Sequence, residues 1–246
     1  MLSFIVPAHD EELLIGATLH ALDAAGRALG EPFEIVVADD GSTDATAAIA
    51  REHGARVVSI ERRQISAARN AGAGAATGER FIFVDADTVV TPELVRAAVE
   101  AMRAGAAAGG CPVRFDGEVP LYARLLLKTL LPLYRMFGLA SGSFLFCTRA
   151  AFQAVGGFDE TLFAAEEAAM SRALHRQGRF VFLRQTVTTS GRKVRTHSAR
   201  ELLGLLGRLL LSGSRGVRRR EGLEAWYGER RADPMTTSGK PASMRH

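Results

Sequence analysis

The sequence lacks the features that mark several protein classes. Its two cysteines, Cys111 and Cys147, have apolar or small neighbours and neither a CxxC partner nor a nearby histidine, so neither a zinc site nor a disulfide framework is predicted. No uninterrupted run of about 18 apolar residues is present, and we therefore predict no membrane-spanning helix. The opening MLSFIVPAHDEE has no basic segment before its apolar run, which argues against a secretory signal peptide. A reducing cytoplasm is the expected compartment.

What the chain does contain is a large apolar fraction and an uneven charge. Its 246 residues are 47% hydrophobic and 24% charged, which predicts a soluble globular protein with a sizeable core. Residues 184–231 carry a net charge of +8, whereas the remainder carries −4. This asymmetry suggests an anionic partner, either membrane phospholipid or a phosphate-bearing ligand; a merely solvated arginine-rich face is the equally weighted alternative. Nucleic acid is not expected, because only Trp226 and Tyr227 supply aromatic rings there.

Strand and helix patterns alternate along the first hundred residues. The predicted strands are LSFIVPA, FEIVVADD, ARVVSI and RFIFVDAD, and the predicted helices cover 11–29, 44–53, 64–76 and 92–104. Thr91 is expected to cap the last of these helices, with proline at its first position. Repeated βαβ units with unbroken apolar strands indicate a parallel sheet covered by helices on both faces. Ligands gather at the carboxyl ends of such strands.

Two acidic motifs, ADDGSTD and VDADT, fall at predicted strand ends. Asp85 and Asp87 at about 4 Å would repel each other by roughly 4 kcal/mol at an effective dielectric near 20. A bound Mg²⁺ or Mn²⁺ would reverse that repulsion and would bring a phosphate-bearing ligand with it; the alternative is that the pair simply ends the strand in water. Asp39 and Asp40 could accept hydrogen bonds from a base or a ribose, although turn and cap chemistry explains every other residue of their motif.

Five segments then carry a resemblance when they are taken in order. FIVPAHDEE, ADDGSTDAT, AARNAGAGAATGERFIFVDADT, SGSFLFCTRAAFQAVGGFDE and EEAAMSRAL resemble, over residues 2–190, the family 2 glycosyltransferases with the GT-A fold. The resemblance implies an α/β architecture, a Rossmann-like and mostly parallel central sheet flanked by helices. We expect one GT-A domain over 1–197, a basic amphipathic helical extension over 198–230 and a disordered tail over 231–246.

The resemblance also implies a set of site residues. The donor-binding residues would be Pro7, Ala8, Glu11, Asp39, Asp40, Arg69, Asn70, Asp85, Ala86, Asp87, Arg192 and His197. The acceptor side would be shaped by Ser141, Gly142, Gly156, Gly157, Phe158 and Asp159. Asp87, with Asp85, would hold the metal, and the catalytic base would be Glu167 or, less favoured, its neighbour Glu166.

Two positions depart from the family pattern. Glu167 stands where the family usually has Asp, and Asp10 stands where it commonly has Asn, so Asp10 is not counted as a site residue. Both glutamates could instead simply favour a helix N-terminus through the macrodipole. The segment GAGAATG at 72–78 superficially resembles a dinucleotide-binding loop, but it closes a helix instead of opening one, and close packing of small residues is expected there.

The remaining signals concern the acceptor. Residues 121–138 and 201–211 are predicted to form either helices that lie in the membrane–water interface or amphipathic helices that pack on the sheet. The leading hypothesis is an inverting, metal-dependent enzyme that moves one sugar from a nucleotide-diphospho-sugar to an acceptor hydroxyl, with a lipid-linked acceptor or work at the inner face of the membrane left open. Single-sugar transfer is favoured because no QxxRW-like element is present. The rival is a non-catalytic scaffold of the same fold that binds nucleotide sugar or acidic membrane.

Overall fold

A computed structural model describes residues 1–122, 124, 138–196, 198, 201 and 218. The prediction for His197 lies outside the described residues. So do the tail predicted over 231–246, nearly all of the extension predicted over 198–230, and most of the helix predicted over 121–138. In the described part of the chain, no helix is long and apolar enough to cross a bilayer.

Strands occupy the positions that the sequence predicts and continue beyond them. Their bounds are β1 Leu2–Ala8, β2 Phe33–Asp40, β3 Arg56–Ile60, β4 Arg80–Val84, β5 Thr88–Val89, β6 Ala108–Gly110, β7 Val113–Phe115, β8 Phe144–Thr148, β9 Phe180–Phe182 and β10 Val187–Thr189. The four strands predicted between residues 2 and 87 are confirmed as β1 to β4.

Helices connect these strands. Their bounds are α1 Ile15–Leu29, α2 Thr46–Glu52, α3 Ile65–Ala75, α4 Pro92–Arg103, α5 Arg149–Ala154, α6 Glu166–His175 and α7 Arg192–Thr196. The four predicted helices are confirmed, and Thr91 caps α4 by accepting a hydrogen bond from the Leu94 N–H at 3.3 Å. The first helix begins at Ile15 and not at Glu11. Residues 12–14 form a turn in which the Glu11 carbonyl accepts hydrogen bonds from the Leu14 and Ile15 N–H groups, at 3.0 and 2.9 Å.

The central sheet is mostly parallel, as predicted. Its seven strands run in the order β3-β2-β1-β4-β8-β6-β9, with β1 to β4 parallel to one another and β8 antiparallel to both of its neighbours. A second sheet has the order β5-β10-β7. Its first strand, β5, begins at Thr88, shortly after the end of β4.

Alternate side chains of the buried strands fill two apolar clusters, one on each face of the central sheet. Phe4, Val6 and Ile82 pack with side chains of α1 and α4 on one face. Ile5 and Phe83 pack with side chains of α3, α5 and α6 on the other. Burial on both faces explains why these strands are apolar throughout instead of alternating.

Small residues bring α3 close to the sheet. A Cβ atom added at Gly72 would lie 2.7 Å from Cγ2 of Ile5 on β1. The GAGAATG segment therefore serves helix–sheet packing, as the sequence predicts.

The register divides the sheet into two edges. Ala8 pairs with Asp39, and Val84 pairs with Phe144, so the ends of β1 to β4 meet the start of β8 at what we call the carboxyl edge. The opposite side, where β1, β2 and β4 begin and β8 ends, is the amino edge. The acidic motifs of the sequence lie at the carboxyl edge.

Candidate active site

Two consecutive aspartates end β2 and have different surroundings. Asp40 is buried, and its Oδ1 accepts hydrogen bonds from the N–H groups of Arg62 and Arg63 at 2.7 and 2.8 Å, while its Oδ2 accepts from the Gln64 N–H at 2.6 Å. It therefore fixes the turn that leads into α3. Asp39 is also buried, yet its Oδ1 has no hydrogen-bond partner in the described structure. Leaving such an atom unpaired costs about 1–3 kcal/mol, which a ligand donor could recover.

The end of β1 contributes Pro7, Ala8 and the turn that follows. Glu11 is buried, and both of its carboxylate oxygens accept hydrogen bonds from Nη2 of Arg192, at 2.7 and 2.9 Å. The fold thus brings together two predicted donor-binding residues from opposite ends of the chain. In this structure they form an ion pair with each other.

Asp10 has a structural role that agrees with its exclusion from the predicted site. Its φ is 49°, a left-handed conformation that non-glycine residues adopt uncommonly. Its Oδ1 accepts the Thr43 N–H at 2.8 Å, and its Oδ2 lies 2.9 Å from Nε2 of His9. Asp10 therefore holds the ADDGSTD turn against the end of β1.

The Asp85-Ala86-Asp87 motif follows β4 directly. Oδ1 of Asp87 accepts hydrogen bonds from the hydroxyls of Thr189 and Thr88 at 3.2 and 3.4 Å. The carbonyl of Ala86 accepts the Thr18 hydroxyl at 2.8 Å. Asp85 lies 3.0 Å from Nη2 of Arg69. The two carboxylates are therefore held by different parts of the fold, Asp87 by the small sheet and Asp85 by α3.

The donor set at this motif is compatible with a hard divalent cation. No group of three or more His, Cys, Asp or Glu that could hold a metal occurs among the described residues. Two carboxylates, Asp85 and Asp87, remain, and both are partly exposed. Mg²⁺ typically binds one or two carboxylates and completes its shell with waters and substrate phosphates. The pair therefore fits a cation that arrives with a diphosphate.

Arg69 of α3 is fully buried beneath the motif. Its Nη1 donates to Oε1 of Glu166 at 2.9 Å, and its Nη2 donates to Oδ1 of Asp85 at 3.0 Å and to the Gly142 carbonyl at 3.2 Å. Burial alone would lower its pKa, but the negative charges of Asp85, Glu166 and Glu167 outweigh burial and raise the pKa above its ordinary value. The guanidinium faces protein carboxylates here, and the donor contact expected from the resemblance stays a prediction.

Asn70, the next residue, anchors the GGFDE loop. Its Nδ2 donates to the Phe158 carbonyl at 2.9 Å, and its Oδ1 accepts the Phe158 N–H at 2.8 Å. Gly156 and Gly157 have φ angles of 78° and 81°, and a Cβ at Gly157 would lie 2.7 Å from Oδ1 of Asn70. Both glycines are therefore needed for this loop to pass so close to α3.

The predicted acceptor residues separate into three environments. Ser141 and Gly142 lie at the carboxyl edge beside Arg69, and the Ser141 hydroxyl is buried without a partner in the described part of the chain. Phe158 is buried in the apolar core. Asp159 is exposed, and the hydrogen bonds that it accepts from the Thr161 hydroxyl and N–H lower its pKa.

The two adjacent glutamates stand in the first turn of α6. Glu166 is buried and paired with Arg69. Part of the Glu167 side chain reaches solvent, yet burial of its carboxyl group, followed by the negative charge of Glu166, raises the pKa of Glu167 to about 8. A carboxyl group with a pKa near neutrality suits proton transfer. Of the two residues, Glu167 therefore has the environment of a base and Glu166 that of an anchor.

Several residues that shape the site carried no sequence signal. Thr18 on α1 bonds the backbone of the DxD motif, Thr189 on β10 bonds Asp87, and the Gln64 side chain donates to the Leu162 carbonyl at 3.2 Å. Each reaches its partner across a long stretch of chain. Because threonine and glutamine are common in helices and turns, only the tertiary contacts reveal these roles.

The mostly parallel sheet flanked by helices, with acidic residues at its carboxyl edge, matches the GT-A fold of solved glycosyltransferases. The family model described as "Glycosyl transferase family 2" matches residues 3–160. The chain therefore belongs to glycosyl transferase family 2, as the sequence resemblance indicates.

Curated relatives match about half of the chain or less. Validoxylamine A glucosyltransferase of Streptomyces hygroscopicus subsp. jinggangensis is 32% identical over 129 residues, which cover 49% of this chain and 30% of the relative. Undecaprenyl-phosphate 4-deoxy-4-formamido-L-arabinose transferase of Pseudomonas paraeruginosa is 36% identical over 107 residues, which cover 41% of this chain and 32% of the relative. The match spans about a third of the length of these relatives.

Solved structures share the fold over most of the chain. The mannosyltransferase PcManGT from Pyrobaculum calidifontis, in complex with GDP-Man and Mn²⁺, superposes with a TM-score of 0.65 at 19% identity, covering 85% of this chain and 61% of that one. TarS 1-349 of S. aureus, in complex with UDP-GlcNAc, has a TM-score of 0.62 at 21% identity, with coverages of 91% and 69%. At these identities the likeness establishes the fold alone.

Proposed function

We propose that this chain is an inverting, metal-dependent glycosyltransferase that moves one sugar from a nucleotide-diphospho-sugar to an acceptor hydroxyl. The observation that carries the proposal is the convergence of three groups at the carboxyl edge of a family 2 chain. These are the unpaired buried oxygen of Asp39, the Asp85–Asp87 pair, and Glu167 with its raised pKa.

The donor nucleotide would lie along the ends of β1 and β2. Asp39 would accept a hydrogen bond from the base or the ribose, which removes the cost of its unpaired oxygen. Pro7 and Ala8 would form the adjacent wall. Structural neighbours that bind UDP-GlcNAc or GDP-Man favour a nucleotide-sugar ligand for this edge.

The diphosphate would lie beside the DxD motif. Asp85 and Asp87 would hold Mg²⁺ or Mn²⁺, and the bound cation supplies positive charge that stabilises the departing nucleoside diphosphate. The neighbour described with GDP-Man also carries Mn²⁺. Arg192 is a second cation close to this region, and it would reach a phosphate only by loosening its pair with Glu11.

Proton transfer would be carried out by Glu167. As the acceptor oxygen forms its bond to the anomeric carbon, the hydroxyl proton would pass to the Glu167 carboxylate and the bond from that carbon to the diphosphate oxygen would break. A single displacement of this kind inverts the anomeric configuration. Because the base must be ionised to accept the proton, the activity would fall as pH drops below the pKa of Glu167.

The acceptor would be lipid-linked and used at the inner face of the membrane. Two lines of support are the basic segment 184–231 and relatives named for undecaprenyl-phosphate and 4,4'-diaponeurosporenoate substrates. Positive charge near an anionic leaflet contributes about 1 kcal/mol per basic residue.

Nucleoside diphosphate release from a panel of UDP-, GDP- and dTDP-sugars with Mn²⁺ or Mg²⁺ tests the proposal. We expect slow hydrolysis of one donor in the wild type, lost on chelation and in Asp87→Ala. Donor binding by calorimetry without turnover, even with candidate lipid acceptors, would identify the non-catalytic scaffold instead. Absence of both binding and turnover would refute the nucleotide-sugar proposal itself.

A further inference from the structure

Arg69 contacts four of the chain segments that surround the proposed active site. The end of β4 supplies Asp85, the turn before β8 supplies the Gly142 carbonyl, and the first turn of α6 supplies Glu166. The ring of Phe158, from the GGFDE loop, lies 5.1 Å from the centre of the guanidinium. One side chain on α3 thus joins a strand end, two loops and the helix that bears the proposed base.

The Arg69 guanidinium is closely packed, and a glycine lies against it. A Cβ atom at Gly142 would lie 2.8 Å from Nη2 of Arg69, so even alanine would crowd the group there. The side chain is only 1% exposed. A substrate phosphate therefore has no direct access to it in this arrangement.

Stability alone does not explain so much buried charge. Buried ion pairs are costly to desolvate, and apolar replacements of similar volume are often neutral or stabilising. Arg149 shows the less costly solution in the same protein. It lies over the Phe81 ring at 4.7 Å and donates to the carbonyls of Gly78 and Ala76, at 2.7 and 2.6 Å.

Charge distribution explains what the buried arginine accomplishes. Asp85, Glu166 and Glu167 approach one another at the carboxyl edge, and all three act electrostatically on Arg69. Without a cation between them, like charges would separate Asp85 from the start of α6. Two nearby residues reinforce the same junction, because Gln64, which precedes α3, and Asn70 on α3 bond the backbone of the 158–162 loop that leads into α6.

We infer that Arg69 is a positioning residue that couples the donor side of the site to the base side. Its guanidinium fork fixes Asp85 and Glu166 at once and so sets the place of Glu167 relative to the cation-binding motif. This inference rests on the proposed function. It differs from the expectation that Arg69 contacts the donor, since a positioning role affects turnover more than donor binding.

Arg69→Met and Arg69→Lys test the inference, with Arg149→Met as the matched control. For donor hydrolysis in Mn²⁺ we expect Arg69→Met to lower kcat at least about 100-fold, with KM for the donor and Kd for UDP within about threefold of wild type. Arg69→Lys should recover about tenfold of that loss, because it keeps the charge but not the fork. Arg149→Met should leave kcat, KM and Kd unchanged while lowering the melting temperature.

A different pattern would overturn the inference. If Arg69→Met weakened UDP binding tenfold or more and kept kcat, Arg69 would be a donor contact. If it were folded and fully active, Arg69 would have no role in the site. Should Arg69→Met fail to fold, Glu166→Gln removes the charge from one arm only, and the same separation of kcat from Kd is expected of it.

A second measurement does not depend on turnover and therefore separates failure of this inference from failure of the proposed function. Urea unfolding of metal-free Asp85→Asn, Glu166→Gln and the double variant should give non-additive shifts of the midpoint in the Arg69 background. The non-additivity should shrink when Arg69→Lys is introduced, because a single ammonium does not hold two carboxylates in the fixed geometry of a guanidinium fork. Additive shifts with Arg69 present would overturn the coupling even in an active enzyme, and non-additive shifts in an inactive protein would keep the coupling while refuting the transferase.

Discussion

Two carboxyl groups at opposite edges of the central sheet, Glu34 and Glu167, have opposite environments. At the amino edge, Oε1 of Glu34 accepts hydrogen bonds from the hydroxyls of Ser3 and Thr77 and from the Thr77 and Gly78 N–H groups. Burial would raise the pKa of Glu34, but these bonds outweigh burial and lower it. At the carboxyl edge, burial and the charge of Glu166 raise the pKa of Glu167. The surroundings of Glu34 favour its ionised form, whereas those of Glu167 disfavour it.

Unpaired polar atoms follow the same division. Within the described part of the chain, buried side-chain atoms without a hydrogen-bond partner occur on Asp39, Ser66, Arg69 and Ser141. All four residues lie at the carboxyl edge. Native interiors leave few such groups, and each one calls for an explanation. Among the described residues, unpaired buried side-chain atoms therefore concentrate on the side of the sheet where the acidic motifs lie.

The largest effect is expected when the carboxyl group with the raised pKa, that of Glu167, is replaced by a neutral amide. Glu167→Gln should lower donor hydrolysis at least about 100-fold, the lower range for loss of a general base, with UDP binding unchanged. In the wild type the rate in saturating Mn²⁺ and donor should rise with pH until the base is ionised. Initial rates of nucleoside diphosphate release from pH 5 to 9 provide the measurement, and retained turnover would assign the base to another residue.

The same variant has a stability signature of predictable sign. A carboxyl whose folded pKa is raised to about 8 contributes stability below its unfolded pKa, and that contribution is lost as pH rises through the folded value. Glu167→Gln cannot ionise, so it should gain stability relative to wild type between about pH 4.5 and 8. Metal-free urea unfolding across this range checks the sign, and a constant difference would contradict the raised pKa.

A smaller effect, on donor binding, is expected at Asp39, whose Oδ1 has no hydrogen-bond partner among the described residues. Asp39→Asn should weaken UDP binding in Mn²⁺ about tenfold, since asparagine keeps an acceptor oxygen and loses only part of the roughly 1.5–3 kcal/mol of a charge-assisted hydrogen bond. The melting temperature should stay the same or rise, because a buried charge disappears. Calorimetry with UDP and a thermal melt measure the two effects. Unchanged affinity would remove Asp39 from the nucleotide site.

A substitution at the amino edge should change the free energy of unfolding but not donor binding. Glu34→Ala leaves several donors without an acceptor, and we expect it to lower the free energy of unfolding by about 2 kcal/mol at pH 7. Donor binding should not change. Because the folded pKa of Glu34 is lowered, its contribution is present above the unfolded pKa and is lost as pH falls through the folded value. The difference between the variant and the wild type in urea unfolding should therefore shrink at acid pH, and a difference that does not change with pH would contradict this account.

Much of the architecture was accessible from the sequence because it depends on short-range patterns. The apolar runs of β1 to β4, the small residues of α3 and the Thr91-Pro92 start of α4 each act within a few residues of chain. Strand ends could therefore be placed, and with them the acidic motifs at one edge. The antiparallel insertion of β8 between β4 and β6 was not predicted, since pairing between distant strands leaves no local pattern.

The sequence predicted which acidic residues end the strands but not what those residues contact. Asp39 and Asp40 look alike in the sequence, yet one fixes a turn through three backbone N–H groups and the other keeps an unpaired oxygen. Glu11 and Arg192 were both expected to bind donor, and the fold pairs them with each other. Burial and the nearest partner decide such roles, and neither is encoded by residue type.

The sequence by itself determined the layered α/β fold, the edge at which the acids collect and the family to which the chain belongs, because periodicity, turn chemistry and ordered motifs are local properties. Only the tertiary structure decided that Glu166 pairs with Arg69, that Glu167 has its pKa raised and that Arg69 lies between Asp85 and the first turn of α6. Those assignments depend on desolvation and on charges brought within a few ångströms by folding, and such distances exist only once the chain has folded.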